Sequence, residues 1–224
     1  AEGVTASTVV QFAWAVLLSR MTGNRVVAYG ETVSGRPADL DGVETMVGLF
    51  INTLPAVVDV DPGATIIEAL SKLQADKVSV LDHQHLGLTE IAEHAGFGQL
   101  FDTLTVFESY PINTESFMSN SNELVQIRDV ASRDSTHYPL NLASVPYGDQ
   151  MKLTLKYLPV AFSSTQIEEL AEALTLILKT IVETPDSYTA AIPFEIGNVE
   201  EAVLLSVSAD DPTVEVVDGR SVSD

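Results

Sequence analysis

The segment that most constrains the fold is residues 8–21, a helix-forming stretch that is apolar on nearly every side. Phe12 and Val16 fall on one side of a helical projection, and Val10 and Trp14 fall on another. A helix without a polar stripe has to be covered all round, because any exposed side would leave apolar surface in water. We therefore predict that this helix is buried in the core.

Hydrophobic periodicity predicts the other elements. Residues 163–183 keep the helical spacing of apolar side chains throughout, and their first turn matches a capping box. Residues 64–81 form a second amphipathic helix whose apolar side is interrupted only by Lys77, and residues 88–95 form a short third helix. Stretches rich in β-branched residues predict strands at residues 25–34, 54–60, 104–107, 123–130, 140–145 and 151–158.

Long helices mixed with strands, some of them consecutive, indicate an α+β sandwich with helices packed on one face of the sheet. The last part of the chain differs in composition. Residues 195–224 carry eight acidic side chains and one basic side chain, and they show no sustained period. We predict that this segment is an acidic linker toward a following domain, with one edge strand around residues 214–217.

Charge and composition exclude several classes of partner. The formal net charge is −21, from 32 acidic and 11 basic residues, so phosphate backbones and anionic membrane surfaces would be repelled. No apolar run approaches the ~20 residues that a membrane-spanning helix needs, and no signal peptide is visible. The chain has no cysteine, which excludes disulfides and thiolate chemistry. These properties favour a cytoplasmic globular domain with neither nucleic acid nor membrane as partner.

The stretch Val-Gly-Leu-Phe-Ile-Asn-Thr at residues 47–53, which follows a Gly-Arg-Pro turn at residues 35–37, carries the first functional signal. Composition alone indicates a loop between two strands with glycines at turn positions. The stretch also resembles the motif (Ile/Val)-Gly-x-Phe-Val-Asn-Thr of the condensation domains of nonribosomal peptide synthetases, with a single Val-to-Ile change.

Other segments strengthen this resemblance in the same order along the chain. Residues 133–140, Arg-Asp-Ser-Thr-His-Tyr-Pro-Leu, resemble the family motif Arg-Asp-x-Ser-Arg-Asn-Pro-Leu, with His137 and Tyr138 in place of Arg and Asn. Residues 101–111 resemble the strand before that motif in peptide-forming members, and His-Gln at residues 83–84 matches the start of a further motif. The resemblance spans about residues 1–194.

The resemblance implies a domain of two chloramphenicol-acetyltransferase-like lobes set in a V. A His-His-x-x-x-Asp-Gly motif in the first lobe handles the proton of the attacking amine. This chain has four histidines, none of them adjacent to another, so we expect residues 1–194 to be the C-terminal lobe, with no catalytic residue of its own and inactive alone. The implied reaction forms an amide between a donor acyl thioester and an aminoacyl acceptor. Both would be delivered on 4′-phosphopantetheine arms of carrier proteins, and the lobe itself would bind no cofactor.

By resemblance, residues 35–53 form a loop in the floor of the substrate tunnel, which we call the floor loop. Asn52 is the strongest candidate, because a buried amide must satisfy its donors and acceptor. It would either contact the substrate amide or pantetheine arm, or cap its own backbone turn. The floor-loop site residues are Gly35, Arg36, Gly48, Phe50, Asn52 and Thr53, and the structural residues of the later motif are Arg133, Asp134, Pro139 and Leu140.

Partners and alternatives follow from the same resemblance. The expected partners are the N-terminal lobe, peptidyl carrier domains and an adjacent adenylation domain, and an uncovered lobe would tend to form a homodimer. The alternative is a non-catalytic docking lobe for carrier or adenylation domains. A coenzyme-A-dependent acyltransferase would need a His-x-x-x-Asp motif, which the sequence lacks. His83 and His85 are two residues apart, which is poor geometry for sharing a metal, so we predict no metal site.

Overall fold

The computed structural model describes residues 3–36, 40–108, 137–147, 150–194, 214–217 and 220–221. The helices are α1 Ala6–Thr22, α2 Ile66–Ser79, α3 Leu88–Ala95 and α4 Ser164–Glu183. The strands are β1 Val26–Val33, β2 Asn52–Asp59, β3 Thr103–Phe107, β4 Leu140–Tyr147, β5 Gln150–Tyr157, β6 Val214–Val217 and β7 Arg220–Ser221. Short 3₁₀ turns lie at Val43–Thr45, Leu81–His83 and Thr189–Ala191.

Across the described ranges the strands form a mixed sheet in the order β2-β1-β3-β4-β5-β6-β7. β1 is antiparallel to β2 and parallel to β3, and β3 is parallel to β4. From β4 onward each neighbouring pair is antiparallel. The predicted α+β class with a mixed sheet is confirmed.

Helix α1 lies at the centre of the helical layer. It packs against α2, α4 and β1, and α4 packs on β5. Phe12, Trp14 and Leu17 are buried together with side chains from α2, α4 and four strands, so the core lies between the helices and one sheet face. The prediction of a buried helix is confirmed for residues 8–18, of which only Val9 is partly exposed, while the last turn reaches solvent at Arg20. The helices are packed on one face as expected.

Local signals explain where the helices begin and end. Thr65 and Ser163 cap α2 and α4 in reciprocal capping boxes with Glu68 and Gln166. Gly23 ends α1 at φ +69°, a conformation that costs glycine little. No helix in the described part of the chain is long and apolar enough to cross a membrane.

Two predicted segments have different outcomes. The predicted strand at residues 123–130 lies outside the described residues. The edge strand predicted in the acidic tail is present as β6, which pairs antiparallel with β5. The wider prediction that residues 195–224 are a linker remains a prediction.

Neighbouring residues on α4 provide a direct test of the core. Ile181 is 2% exposed and Val182 is 68% exposed. We expect Ile181→Ala to lower the free energy of unfolding by about 2–5 kcal/mol, because it removes buried methyl groups and leaves a cavity. Val182→Ala should change it by less than about 0.5 kcal/mol. Urea unfolding of the two variants measures the difference, and equal values would contradict the placement of α4.

Candidate functional site

The floor loop leaves the sheet from two adjacent strand ends. Val33 at the end of β1 is the register partner of Asn52 at the start of β2, so both ends of the loop emerge side by side. β2 begins two residues before the predicted position, which places Asn52 and Thr53 in the strand and not in the connecting loop. The loop proper therefore spans residues 34–51.

Gly35 makes the close approach of the two loop ends possible. Its φ is +61°, and a Cβ atom built on it would lie 1.8 Å from the carbonyl oxygen of Phe50. Any side chain at this position would meet both the left-handed backbone penalty and an atomic overlap. The glycine is thus required by the close approach of the two loop ends.

Arg36 links the start of the floor loop to its later residues. Its guanidinium carbon lies 4.2 Å from the centre of the Phe50 ring, within the range of a cation–π contact. Nη2 donates to the carbonyl oxygen of Met46 at 3.2 Å, and Nη1 donates to that of Val43. The guanidinium is therefore engaged with groups on the far side of the loop.

The tip of the floor loop presents apolar side chains to solvent. Val47 and Leu49 are 103% and 90% exposed, and Ile51 is half exposed. Gly48 stands between the first two, with space for a Cβ atom 3.4 Å from Cε2 of the Phe50 ring. Exposed apolar side chains close together on one loop indicate a surface that another protein element covers.

Asn52 satisfies its amide within the protein. Nδ2 donates to the carbonyl oxygens of Gln84 at 2.8 Å and Leu86 at 2.7 Å, and Oδ1 accepts from the backbone N–H of Thr53 at 2.9 Å. Both amide hydrogens are used, so Asn52 ties the start of β2 to the turn after α2. The predicted choice between a substrate contact and a cap of its own turn stays a prediction, since the bond to Thr53 lies within β2. The tie to residues 84–86 was not foreseen.

The later motif is only partly described. Arg133 and Asp134 lie outside the described residues, so their predicted structural role stays a prediction. Pro139 is buried and Leu140 is fully buried at the start of β4. The ring of Tyr138 lies 5.4 Å from that of Phe101 and 4.1 Å from that of His137. This end of the motif therefore packs against the residues that precede β3.

The described titratable groups do not form a metal-binding cluster. In the described ranges no three His, Asp or Glu side chains are close enough to share a metal ion.

Burial raises the pKa of the Asp102 carboxyl, and burial, followed by the charge of Glu31, raises the pKa of Tyr29 well above its usual value. The Asp59 pKa is lowered by its hydrogen bond from Arg25, an exposed surface pair.

A polar cluster between α1, α2 and the end of β1 was not predicted from the sequence. Lys77 Nζ lies 2.6 Å from Glu31 Oε1, and their side chains are 20% and 15% exposed. Gln11 accepts from Lys77 at 2.8 Å and donates to Glu31 at 2.7 Å. The sequence signal was Lys77, the polar interruption on the apolar side of α2. Its partner lies in another element, so spacing along α2 did not identify it.

Comparison with known proteins gives a consistent picture. A family model described as "Condensation domain" matches residues 1–194. The chain is 36% identical over 209 residues to chondramide synthase cmdD of Chondromyces crocatus, covering 92% of this chain and 5% of that protein. It is 35% identical over 191 residues to surfactin synthase subunit 3 of Bacillus subtilis (strain 168), covering 85% and 15%.

Solved structures agree on the fold. The crystal structure titled "CT" superposes with a TM-score of 0.73 at 23% identity, covering 87% of this chain and 45% of that one. The first condensation domain of the CDA synthetase gives 0.63 at 17% identity, covering 84% and 42%. The predicted chloramphenicol-acetyltransferase-like fold is confirmed. The chain spans less than half of these two solved chains and a small fraction of the two synthases.

Proposed function

The chain belongs to the condensation-domain family of nonribosomal peptide synthetases, and from this we propose that residues 1–194 are the C-terminal lobe of such a domain. The supporting observation is the floor loop, whose family motif at residues 47–53 is held by Gly35, Arg36 and Asn52 while its apolar tip stays exposed. The complete domain would join two substrates tethered to carrier proteins.

In the proposed reaction the amine of the aminoacyl acceptor attacks the carbonyl carbon of the donor thioester. A new C–N bond forms, the C–S bond breaks, and the donor's pantetheine leaves as a thiol. The proton lost by the amine would be handled by the histidine pair of the N-terminal lobe, since the motif at residues 47–53 carries no titratable side chain. This lobe would act by holding two tethered reactants in register, which lowers the entropic part of the barrier.

The 4′-phosphopantetheine arms would arrive on peptidyl carrier domains. Asn52 offers them no free amide hydrogen, because both already bind carbonyl oxygens of this chain. We therefore assign Asn52 to the support of the tunnel floor. Any contact with an arm would come from the exposed side chains of the loop tip or from its backbone. The chemistry of the thioester itself is supplied by the carrier-bound group.

A second candidate is a docking lobe that binds a neighbouring carrier or adenylation domain without taking part in the reaction. The exposed apolar tip of the floor loop is also consistent with docking, because a carrier or adenylation domain could cover it as well as the N-terminal lobe could. Titration calorimetry of this chain against the isolated neighbouring domains tests it. Binding in the absence of the N-terminal lobe supports docking, and no heat of binding counts against it.

The main experiment reconstitutes the domain from two pieces. Donor and acceptor carriers from the same synthetase are loaded and mixed with this chain, with the N-terminal lobe, or with both, and the acceptor-bound product is followed by mass spectrometry. We expect amide formation only when both lobes are present. Product formed by this chain alone would contradict the proposal, as would no product from an intact domain that contains this lobe.

We also expect the isolated chain to self-associate, as proposed for an uncovered lobe. Val47 and Leu49 at the loop tip would be removed from water in a dimer, which stabilises it by about 25 cal/mol per Å² of apolar area. Light scattering across a concentration series should show a dimer for the parent chain and a shift to monomer for Val47→Ser with Leu49→Ser. Val182→Ser, at an exposed position on α4, is the control. A strictly monomeric parent would contradict this.

A further inference from the structure

The polar cluster and the Asn52 amide are connected by an unbroken series of turns. The backbone N–H of Val80 donates to the carbonyl oxygen of Lys77 at 3.4 Å, and that of His83 donates to Val80 at 3.0 Å. The N–H of Leu86 then donates to His83 at 3.1 Å, and the carbonyl oxygen of Leu86 accepts from Asn52. One segment, residues 77–86, therefore touches the sheet at both of its ends.

These two contacts fall on opposite strands of the same hairpin. Lys77 holds Glu31 on β1, and Leu86 with Gln84 holds Asn52 on β2. Glu31 is the register partner of Leu54, two residues beyond Asn52, so the contacts lie next to each other at the root of the floor loop. We call Glu31, Lys77, Asn52 and the turns of residues 77–86 the hairpin clamp.

The Glu31–Lys77 ion pair is better explained by the orientation that it gives to α2 and β1 than by a contribution to folding stability. A buried pair loses much of its attraction to the cost of removing both charges from water, and apolar replacements of similar volume are often as stable. The fully buried side chains of α2, which include Ile66, Leu70 and Leu73, are apolar. An apolar residue at position 77 would also be buried there, but it would give no directional tie to β1.

Gln11 adds a third fixed point. It contacts both charged partners and lies on α1, the buried helix that also packs on β1. The end of α2 is therefore oriented against a helix and a strand at once. Residues 80–86 continue directly from the end of α2. A rotation of this end would therefore move the carbonyl oxygens of Gln84 and Leu86, which Asn52 binds.

From these contacts we infer that Glu31 and Lys77 are positioning residues for the floor loop. They fix the end of α2, and through the turns of the hairpin clamp they fix where both ends of the loop leave the sheet. The effect of Glu31 and Lys77 on the position of the floor loop is inferred from the contacts within this chain. The effect on catalysis rests on the proposed function.

The test on this chain uses Glu31→Leu combined with Lys77→Met, which removes both charges and keeps apolar volume. We expect the variant to fold with a somewhat lower urea midpoint, because the buried Gln11 amide loses its contacts with both charged partners. The amide hydrogens of His83, Leu86 and Thr53 should exchange at least about tenfold faster than this loss of global stability alone would produce. Lys72→Met is the matched control. It breaks the exposed pair with Asp76 on the same helix and should leave these three amides unchanged.

Unchanged exchange at these amides in a folded double variant would overturn the inference. If the double variant does not fold, Lys77→Gln combined with Glu31→Gln carries the same comparison. It removes both charges, shortens the side chain at position 77 and keeps polar groups beside Gln11, so no unpaired charge is left. Faster exchange at the three amides in that variant supports the clamp, and exchange equal to the parent overturns it.

The catalytic consequence is measured in the intact domain. We expect the double variant to lower kcat for amide formation by about tenfold, with little change in KM for the carriers, because a displaced loop would hold the bound reactants out of register without removing a contact to the carriers. A parent domain without activity rejects the proposed function and leaves the exchange result standing. An active parent with a fully active double variant overturns the positioning role alone.

Discussion

Replacing Gly35 with alanine is expected to remove nearly all condensation activity from a complete domain that contains this lobe. The backbone φ of +61° costs a residue with a Cβ atom about 1–2 kcal/mol, and the new atom would overlap the Phe50 carbonyl oxygen at 1.8 Å. A backbone carbonyl cannot rotate away as a side chain can, so the two ends of the loop must separate. That movement would displace Arg36 from the Phe50 ring and move the tip that carries residues 47–51.

The measurement is the rate of amide formation with loaded carriers, for which we expect a decrease of about 100-fold, as a displacement near 1 Å can produce. Gly98→Ala is the control. Gly98 is exposed and lies outside the floor loop, a Cβ atom built on it would meet nothing within 4 Å, and its φ lies outside the left-handed region. A Gly35→Ala domain as active as the Gly98→Ala domain would show that the close approach of the loop ends does not matter for the reaction.

The helices could be predicted from sequence because their signals are local. The spacing of apolar side chains along α4 and the glycine after α1 are read within a few residues, and both matched the structure. A helix apolar on all sides has few places in a two-layer fold. The burial of α1 therefore followed from its composition alone.

The start of β2 was less predictable. Asn52 has poor strand propensity, and the prediction began the strand at Leu54, after the Asn-Thr pair. Their pairing with Val33 and Thr32 extends the strand, because the antiparallel partner is already in place. Strand propensity depends on such neighbours more than helix propensity does.

The contacts of the candidate site were beyond sequence reasoning for the same reason. The motif at residues 47–53 identified the loop through its resemblance to a family. It did not reveal that Arg36 stacks on Phe50, or that Asn52 binds carbonyl oxygens more than 30 residues away. The Arg36–Phe50 contact forms only when the loop folds back on itself, and the carbonyl oxygens that Asn52 binds reach it only when the segment after α2 packs beside β2.

Asn52 supplies the second large expected effect. In Asn52→Leu the carbonyl oxygens of Gln84 and Leu86 lose their donor, and we expect the free energy of unfolding to fall by about 1–3 kcal/mol, since the site is half-buried and water can replace part of the loss. Asn52→Asp should be worse at neutral pH, because a carboxylate has no hydrogen to donate and faces two carbonyl oxygens. Urea unfolding measures both variants, with Asn24→Leu and Asn24→Asp at an exposed loop position as controls.

The pH dependence of Asn52→Asp distinguishes this explanation from a general loss of packing. Carbonyl oxygens disfavour the charged carboxylate, so the pKa in the folded state would be raised above the unfolded value of about 3.9. The penalty is then complete above the folded-state pKa and disappears as the pH falls below the unfolded value, where the protonated group regains a donor. Near pH 3 the Asn52→Asp variant should therefore approach its parent in stability, while Asn52→Leu keeps its deficit. A constant deficit for both variants between pH 7 and pH 3 would mean that the two carbonyl oxygens do not depend on the Asn52 donors.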